Sequence, residues 1–389
     1  MDKRALLRSV IAVALAAGIA LPVLAQDTVK IGLILPMTGP FASTGRQIDS
    51  AIKVYMAKHG NTVAGKKIEI ILKDDAGTAD TTRRLAQELV VNDKVAFLAG
   101  FGLTPTAFAT APIATQAKVP MIVMAAATSA ITEQSPFIVR SGFTLPQITL
   151  PMAEWAARNN LKKVVTLVTD YGPGIDAETQ FKKSFTAAGG TVPAELRVPL
   201  KNPDFAPFLQ RVRDAAPDAV FVFVPSGVGS IFMKQFAERG LDKSGIKLIA
   251  TGDVTDDDIL NDMGDVALGV VNTMHYSAAH DSALNKEYVA AMRKAANLRA
   301  NFHSVGGYDG MHLIYKSLEA TKGNTSGEEL VNAMKGMTWE SPRGPVSIDR
   351  ETRDIVQNVY VRRVERIDGQ LWNLEIQTVS AVKDPGKQK

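Results

Sequence analysis

Two α/β lobes built on one plan, each around a doubly wound parallel sheet, are the fold class that this sequence predicts. Three observations carry it. Short apolar runs alternate with helical stretches in a βαβαβαβ order. The runs are apolar on both faces, as strands of a buried parallel sheet must be. The pattern then restarts at Lys163 with the same succession of strand, glycine turn, helix and strand.

In the first half the strands are expected at Val29 to Leu35, Ile68 to Leu72, Val95 to Leu98 and Met121 to Val123. Between them, apolar residues at three-to-four spacing predict helices over Gln47 to Lys58, Thr82 to Val91 and Thr106 to Ala117. After Lys163 the strands are Val164 to Val168, Val192 to Val198, Ala219 to Val224 and Ile246 to Ala250. The helices are Asp176 to Ala187, Ile231 to Glu238 and Asp256 to Met263. The end of the chain departs from the plan. Val356 to Val364 and Leu371 to Ile376 flank Asp368-Gly369, a hairpin signal.

The N-terminus stands apart. Asp2-Lys3-Arg4 and Arg8 precede an apolar stretch from Val10 to Leu24, and Val23-Leu24-Ala25 has the spacing of a cleavage site. The stretch is shorter than the ~20 residues of a membrane span, so residues 1–25 are expected to be a secretory signal peptide cleaved after Ala25. Removing its three basic and one acidic residues lowers the formal charge from +4 to +2. So small and scattered an excess disfavours nucleic acid as a partner. Zero cysteines excludes disulfides, thiol chemistry and Cys-ligated metal, and suits an oxidising periplasm.

In open α/β sheets ligands bind beyond the carboxyl ends of the strands. The loops there are Pro36 to Gly45, Gly100 to Thr106, Met124 to Thr132, Asp170 to Asp176, Pro225 to Ser230 and Thr251 to Asp256. They are rich in Gly, Ser, Thr and Ala, which lets backbone N–H groups approach a ligand, and helix starts favour a carboxylate or phosphate. The same residues cap helices and build turns, which is enough to explain any one loop. Several at equivalent places point to a shared cleft.

Enzyme signatures are missing. Gly100-Phe101-Gly102 lacks the third glycine of a dinucleotide fingerprint, and no Walker lysine follows a glycine loop. There is no Gly-x-Ser-x-Gly elbow and no His-Glu-x-x-His. Asp256-Asp257-Asp258 lacks calcium-loop spacing and reads as acids at a helix start. No catalytic residue, metal site or cofactor is expected.

Val29 to Phe41 (VKIGLILPMTGPF), Lys73-Asp74-Asp75, and Val119-Pro-Met-Ile122 with its alanine-threonine turn resemble a periplasmic amino-acid-binding protein of the leucine/isoleucine/valine type. Such proteins are the substrate-binding components of ABC importers. The likeness runs from about Val29 to Ile376. Phe143-Thr-Leu-Pro-Gln147, Ser341-Pro-Arg-Gly-Pro345 and Asp354-Ile-Val-Gln-Asn358 look more like the branch that takes up aromatic carboxylates.

The resemblance implies a type I periplasmic binding protein, with two Rossmann-like lobes joined by three crossovers. Lobe one would be 28–141 plus 275–350, and lobe two 142–274 plus 351–378, followed by a flexible tail over 379–389. The crossings would fall near Arg140-Ser141, Met274-His275 and Asp349-Arg350.

Carried over to this chain, the α-carboxylate and ammonium site falls on Thr104, Ala125, and Ala127 or Thr128. Thr44 takes the position of an aromatic that covers the ligand. Tyr171 would close over it from lobe two, and Asp253 stands where an acid meets the ligand ammonium. Ser226 and His303 are looser matches. Two departures bear on the ligand: Leu103-Thr104-Pro105-Thr106 replaces a serine-rich run, and Ala-Ala-Thr is stretched to Ala-Ala-Ala-Thr.

Chemistry leaves two ligand classes. An amino acid brings an ammonium for Asp253, since an unpaired buried charge is costly. An aromatic acid could use Asp253 as acceptor for a ring hydroxyl, with Tyr171 on the ring. Read the other way, Tyr171 packs at a lobe edge and Asp253 caps a turn. The expected function is a non-catalytic periplasmic receptor that captures a small carboxylate by lobe closure. It delivers this to an inner-membrane ABC permease with its ATPase subunits, and it works as a monomer. The alternatives are a ligand-sensing module without transport and a secreted α/β enzyme.

Overall fold

The computed structural model of the protein describes residues 27–387. The expected signal peptide lies outside the described residues. The first sheet has six strands in the order β2-β3-β1-β4-β5-β6. They are β1 (Thr28–Leu35), β2 (Thr62–Val63), β3 (Lys66–Asp74), β4 (Phe97–Gly100), β5 (Met121–Val123) and β6 (Ile138–Arg140). All but β2 run parallel to their neighbours. From Ile31 to Leu35 every side chain of β1 is buried or is glycine, because helices cover both faces. The covering helices are α1 (Ala42–His59), α2 (Ala79–Val91) and α3 (Thr104–Ala117). Gly32 lets α2 come close: a Cβ there would lie 2.8 Å from Leu89.

The chain then crosses to a second sheet. In order come α4 (Leu145–Arg158), β7 (Val164–Thr169), α5 (Gly172–Ala187), β8 (Glu195–Val198), α6 (Ala206–Ala215), β9 (Ala219–Phe223), α7 (Gly229–Glu238), β10 (Lys247–Thr251), α8 (Leu260–Met263) and β11 (Val271–Met274). The chain returns to lobe one for α9 (Ala283–Ala296), α10 (Phe302–Ala320) and α11 (Gly327–Met334), and α10 packs along α1. It crosses a third time into β12 (Thr338–Ser341), β13 (Gly344–Ile348), β14 (Ile355–Ile367) and β15 (Gln370–Val382). The second sheet has nine strands, in the order β12-β13-β14-β11-β10-β9-β7-β8, with β15 paired along β14 from Gln357 to Ile367. Three crossings between two sheets are the architecture of the type I periplasmic binding fold.

Three expectations need correction. Residues 338–348 were placed in lobe one, yet β13 pairs with β14 and extends the second sheet. The Ser341-Pro-Arg-Gly344 corner turns β12 into β13, and Gly344 supplies the left-handed φ of +94° that such a corner needs. The helix expected over Asp256 to Met263 is helical only from Leu260, because Asp256 and Asp257 spend their side chains on buried partners. Asn301 Nδ2 donates to both Asp256 oxygens at 2.9 and 3.0 Å, and Asn373 Nδ2 donates to Asp257 at 3.2 Å. Over residues 379–387 the tail is anchored where a flexible end was expected: β15 runs to Val382, and Asp384 and Pro385 are buried.

Arg140, Arg343 and Arg362 are fully buried near the crossings, each tied to an acid. Arg343 ties the first crossing to α10 of lobe one and β14 of lobe two. It donates to Asp309 of α10 at 2.6 Å and to Gln357 of β14 at 2.7 Å. It also reaches the Ser141 and Gly142 carbonyls of the first crossing at 2.6 and 3.1 Å.

Candidate functional site

The carboxyl ends of β1, β4 and β5 in lobe one face those of β7, β9 and β10 in lobe two, and a narrow cleft lies between them. Thr44, Thr104, Ala125, Ala127, Tyr171, Ser226, Asp253 and His303 all line it. Thr128 stands just behind, its Oγ1 2.9 Å from Thr104 Oγ1.

The helices that end at the cavity begin with residues too small or too rigid to show in an apolar period. The first turn of α3 is Thr104-Pro105-Thr106, and that of α5 is Gly172-Pro173-Gly174. Proline there loses only an N–H that no helical carbonyl would accept. Two helix N-termini from opposite lobes therefore point their partial positive charge into one space. In the strand-end run, all three alanines, Ala125 to Ala127, reach the cavity wall. Met124 and Ala126 donate backward to Gly100 and Phe101, each at 2.9 Å, while the N–H groups of Ala127 and Thr128 find no acceptor among the described residues. Unpaired amides beside helix starts are groups that an anion can accept from.

The opposite character sits on lobe two. Asp253 is 4% exposed and accepts from Thr251 Oγ1 at 2.9 Å. Burial pushes its carboxyl up to about 7, against the lowering effect of that hydrogen bond. Burial, and next the Asp253 charge, hold the Tyr171 phenol well above its usual range. His303 is fixed in the first turn of α10 by Asn301, whose side chain accepts from the His303 and Ser304 N–H groups at 3.1 and 3.0 Å. Burial pulls its imidazole down to about 3, so it is neutral, and its Nδ1 finds no partner among the described residues. Among the described residues, no lysine or arginine lines the cavity.

Four rings complete the wall, and sequence reasoning assigned only one of them. Phe41 and Phe143 come from lobe one and its crossing, Tyr171 and Phe223 from lobe two. Tyr171 stacks on Phe223 with centroids 6.1 Å apart and planes at 18°. Phe41 precedes α1 and supplies a ring one helical turn before Thr44, the position where the resemblance implied an aromatic. Periodicity could not flag these phenylalanines, since each reads as an ordinary apolar residue of its own segment.

Residues 28–370 match the family described as periplasmic binding protein. The chain belongs to that family. Leu/Ile/Val-binding protein homolog 6 of Brucella melitensis biotype 1 is 48% identical over 366 residues, covering 92% of this chain and 94% of the relative. A solute-binding protein of an ABC transporter from Rhodopseudomonas palustris BisB5, solved in complex with 3,4-dihydroxybenzoic acid, is 65% identical with a TM-score of 0.91. That match covers 93% of this chain and 99% of the other. A second, from Rhodopseudomonas palustris HaA2 in complex with p-hydroxybenzoic acid, is 46% identical with a TM-score of 0.91, covering 93% and 100%. Among the described residues of this periplasmic binding protein, no helix is long and apolar enough to cross a membrane.

The lobes of the binding protein meet through glycines. A Cβ on Gly172 of lobe two would lie 2.5 Å from Thr128 Oγ1 of lobe one, and one on Gly227 would lie 2.5 Å from the Pro40 carbonyl oxygen. A branched side chain at Gly172 is therefore expected to wedge the lobes apart. Gly172→Val should raise the ligand Kd about tenfold or more while moving the ligand-free melting temperature little. Calorimetric titration and a thermal melt check this; unchanged affinity would mean that these surfaces need not touch.

The buried acids also set a pH dependence. Asp176, Asp253 and Asp256 are pushed up to about 6, 7 and 8, with burial the largest cause in each. Unfolded carboxyls titrate near about 4, so the folded state holds more protons above that pH. Their stabilisation is complete below about pH 4 and is lost as pH rises through the folded values. Above about pH 6.5 unfolded histidine is mostly neutral and does not offset the loss. The melting temperature of the ligand-free protein should thus fall from about pH 6.5 to 8.5, and Asp256→Asn should flatten that slope. A stability that rises over this interval would contradict the burial of these groups.

Proposed function

We propose that this chain captures a hydroxylated aromatic carboxylate, such as a hydroxybenzoate, in the periplasm. It then passes the ligand as a monomer to an inner-membrane ABC permease with its ATPase subunits. One observation carries the reading: a slot walled by Phe41, Phe143, Tyr171 and Phe223, with Asp253, a neutral His303 and the hydroxyls of Thr44, Thr104 and Ser226 as polar side chains and no basic one. The carboxylate meets the Ala127 and Thr128 amides, the Thr104 and Thr128 hydroxyls and the starts of α3 and α5. The flat ring lies among the four aromatic side chains. A ring hydroxyl donates to Asp253, and His303 Nδ1 serves a second polar substituent. The bound acids of the 65% and 46% identical relatives support the same class.

Ligand that touches both lobes favours the closed arrangement, and the permease reads that arrangement. Capture proceeds without turnover, and recovery of the ligand unchanged after incubation with the protein checks this. A second reading, a branched-chain-type amino acid, draws on Asp253 as partner of an ammonium.

A thermal-shift comparison of 4-hydroxybenzoate, 3,4-dihydroxybenzoate, benzoate and leucine tests the assignment. A ligand at 100 times its Kd should stabilise by about 2.7 kcal/mol. The hydroxybenzoates should give the largest shifts. A shift with leucine alone would replace this reading with the second.

A further inference from the structure

The C-terminal residues hold the candidate binding run from behind. Asp384 is 5% exposed, and Ser129 Oγ donates to its Oδ2. Its Oδ1 accepts from Gly386 N–H at 2.9 Å, which closes a turn against Ser129. A Cβ on Gly386 would collide with the Ser129 hydroxyl, so the turn is seated tightly. The Ser129 N–H donates to Asp176 of α5 at 2.8 Å. Lys387 Nζ lies 3.1 Å from Glu133 and 3.9 Å from Asp354. Asp354 takes Arg140 Nε at 2.8 Å, and Arg140 in turn donates to the Ala126 and Thr128 carbonyls at 2.9 and 2.7 Å. The segment thus touches the Ser129–Gln134 turn of lobe one together with α4 and α5 of lobe two. Ser129 is the pivot: its neighbour Thr128 bonds to Thr104 at the cavity, while its own side chain belongs to the tail.

We propose that Asp384 is a positioning residue for ligand capture. Through Ser129 it sets the register of Ala125 to Thr128, and the segment 383–387 is a strap across the back of the binding run. An aspartate suits the place because its two oxygens join the strap's own turn to the serine hydroxyl. The inference rests on the cavity as the ligand site, but its structural part can be read without any ligand.

The test uses four variants of the full chain: Asp384→Ala, Ser129→Ala, their combination, and Asp384→Asn. Affinity for 3,4-dihydroxybenzoate is measured by calorimetry, and amide exchange of residues 124–131 is followed in the ligand-free protein. Each single alanine variant should raise Kd by about three- to tenfold and speed exchange in that peptide. The combination should be no worse than Asp384→Ala alone, because that variant has already lost the Ser129–Asp384 bond. Asp384→Asn keeps an acceptor and should stay within about twofold of wild type. If Asp384→Ala does not fold, Ser129→Ala removes the same bond and must give the same increase. Affinity and exchange at wild-type values in the alanine variants would overturn the proposal, whatever the melting temperature does. So would a combined loss equal to the product of the two. A wild type that binds no aromatic acid would overturn the proposed function and leave the exchange readout to decide the strap.

Discussion

Asp253→Ala is expected to separate the ligand classes by the pattern of losses. A ring hydroxyl that loses its charged acceptor costs about 1.5–3 kcal/mol, roughly 10- to 150-fold in Kd. Benzoate has no hydroxyl to lose, so its affinity should change by less than about threefold. An amino acid would fare worse, since its ammonium would be buried unpaired at a cost of about 3–5 kcal/mol. Titration of the wild type and the variant with 4-hydroxybenzoate, benzoate and leucine gives all three numbers. Equal losses for 4-hydroxybenzoate and benzoate would remove Asp253 from the role of hydroxyl acceptor. The prediction follows from the depth of the residue: at 4% exposure its oxygens have Thr251 and the ligand, and little water, to bond to.

The second large effect lies at the crossings. Arg343→Met should destabilise the protein by about 3–5 kcal/mol, because it leaves the buried Asp309 carboxylate without its cation. For a chain of this size that lowers the melting temperature by roughly 4–7 °C. Trp339 Nε1 and Ser341 Oγ would still donate to Asp309, both at 2.8 Å, but neither carries charge. Combining Arg343→Met with Asp309→Leu should cost less than the two single losses together, since no lone ion remains. Thermal melts of the three variants check this. Additive losses would mean that the arginine acts by packing alone.

How far the sequence could be read depends on whether a feature is local. Strand cores are local. Met121 to Val123 forms a strand with the expected bounds, and Val164 to Val168 gains only Thr169. Helix starts are less so. α1, α3 and α5 begin two to five residues before their expected starts, because their opening turns are small, hydroxylated or proline-bearing. Those turns carry Thr44, Thr104 and the glycine contacts, so the residues that make the site are the ones periodicity overlooks.

Features that depend on distant partners were not legible. Asp256 and Asp257 read as acids at a helix start, and only the approach of Asn301 and Asn373, 45 and 116 residues away, gives them a buried role. Asp384-Pro385-Gly386 reads as a loose polar end until Ser129, 255 residues earlier, meets it. The four-ring wall draws one residue from each of four segments, so no window of the sequence contains it. The switch-point rule marks the loops that hold Thr104, Tyr171 and Asp253, while their roles in the site came from the family resemblance.

The central claim is that the cleft takes a hydroxylated aromatic carboxylate, and calorimetric titration of the wild-type protein tests it most directly. 3,4-Dihydroxybenzoate and leucine would be titrated side by side at neutral pH. The expected result is one-to-one binding of the aromatic acid, at least about 100-fold tighter than leucine, a margin of about 2.7 kcal/mol. Leucine binding as tight as the aromatic acid or tighter would contradict it.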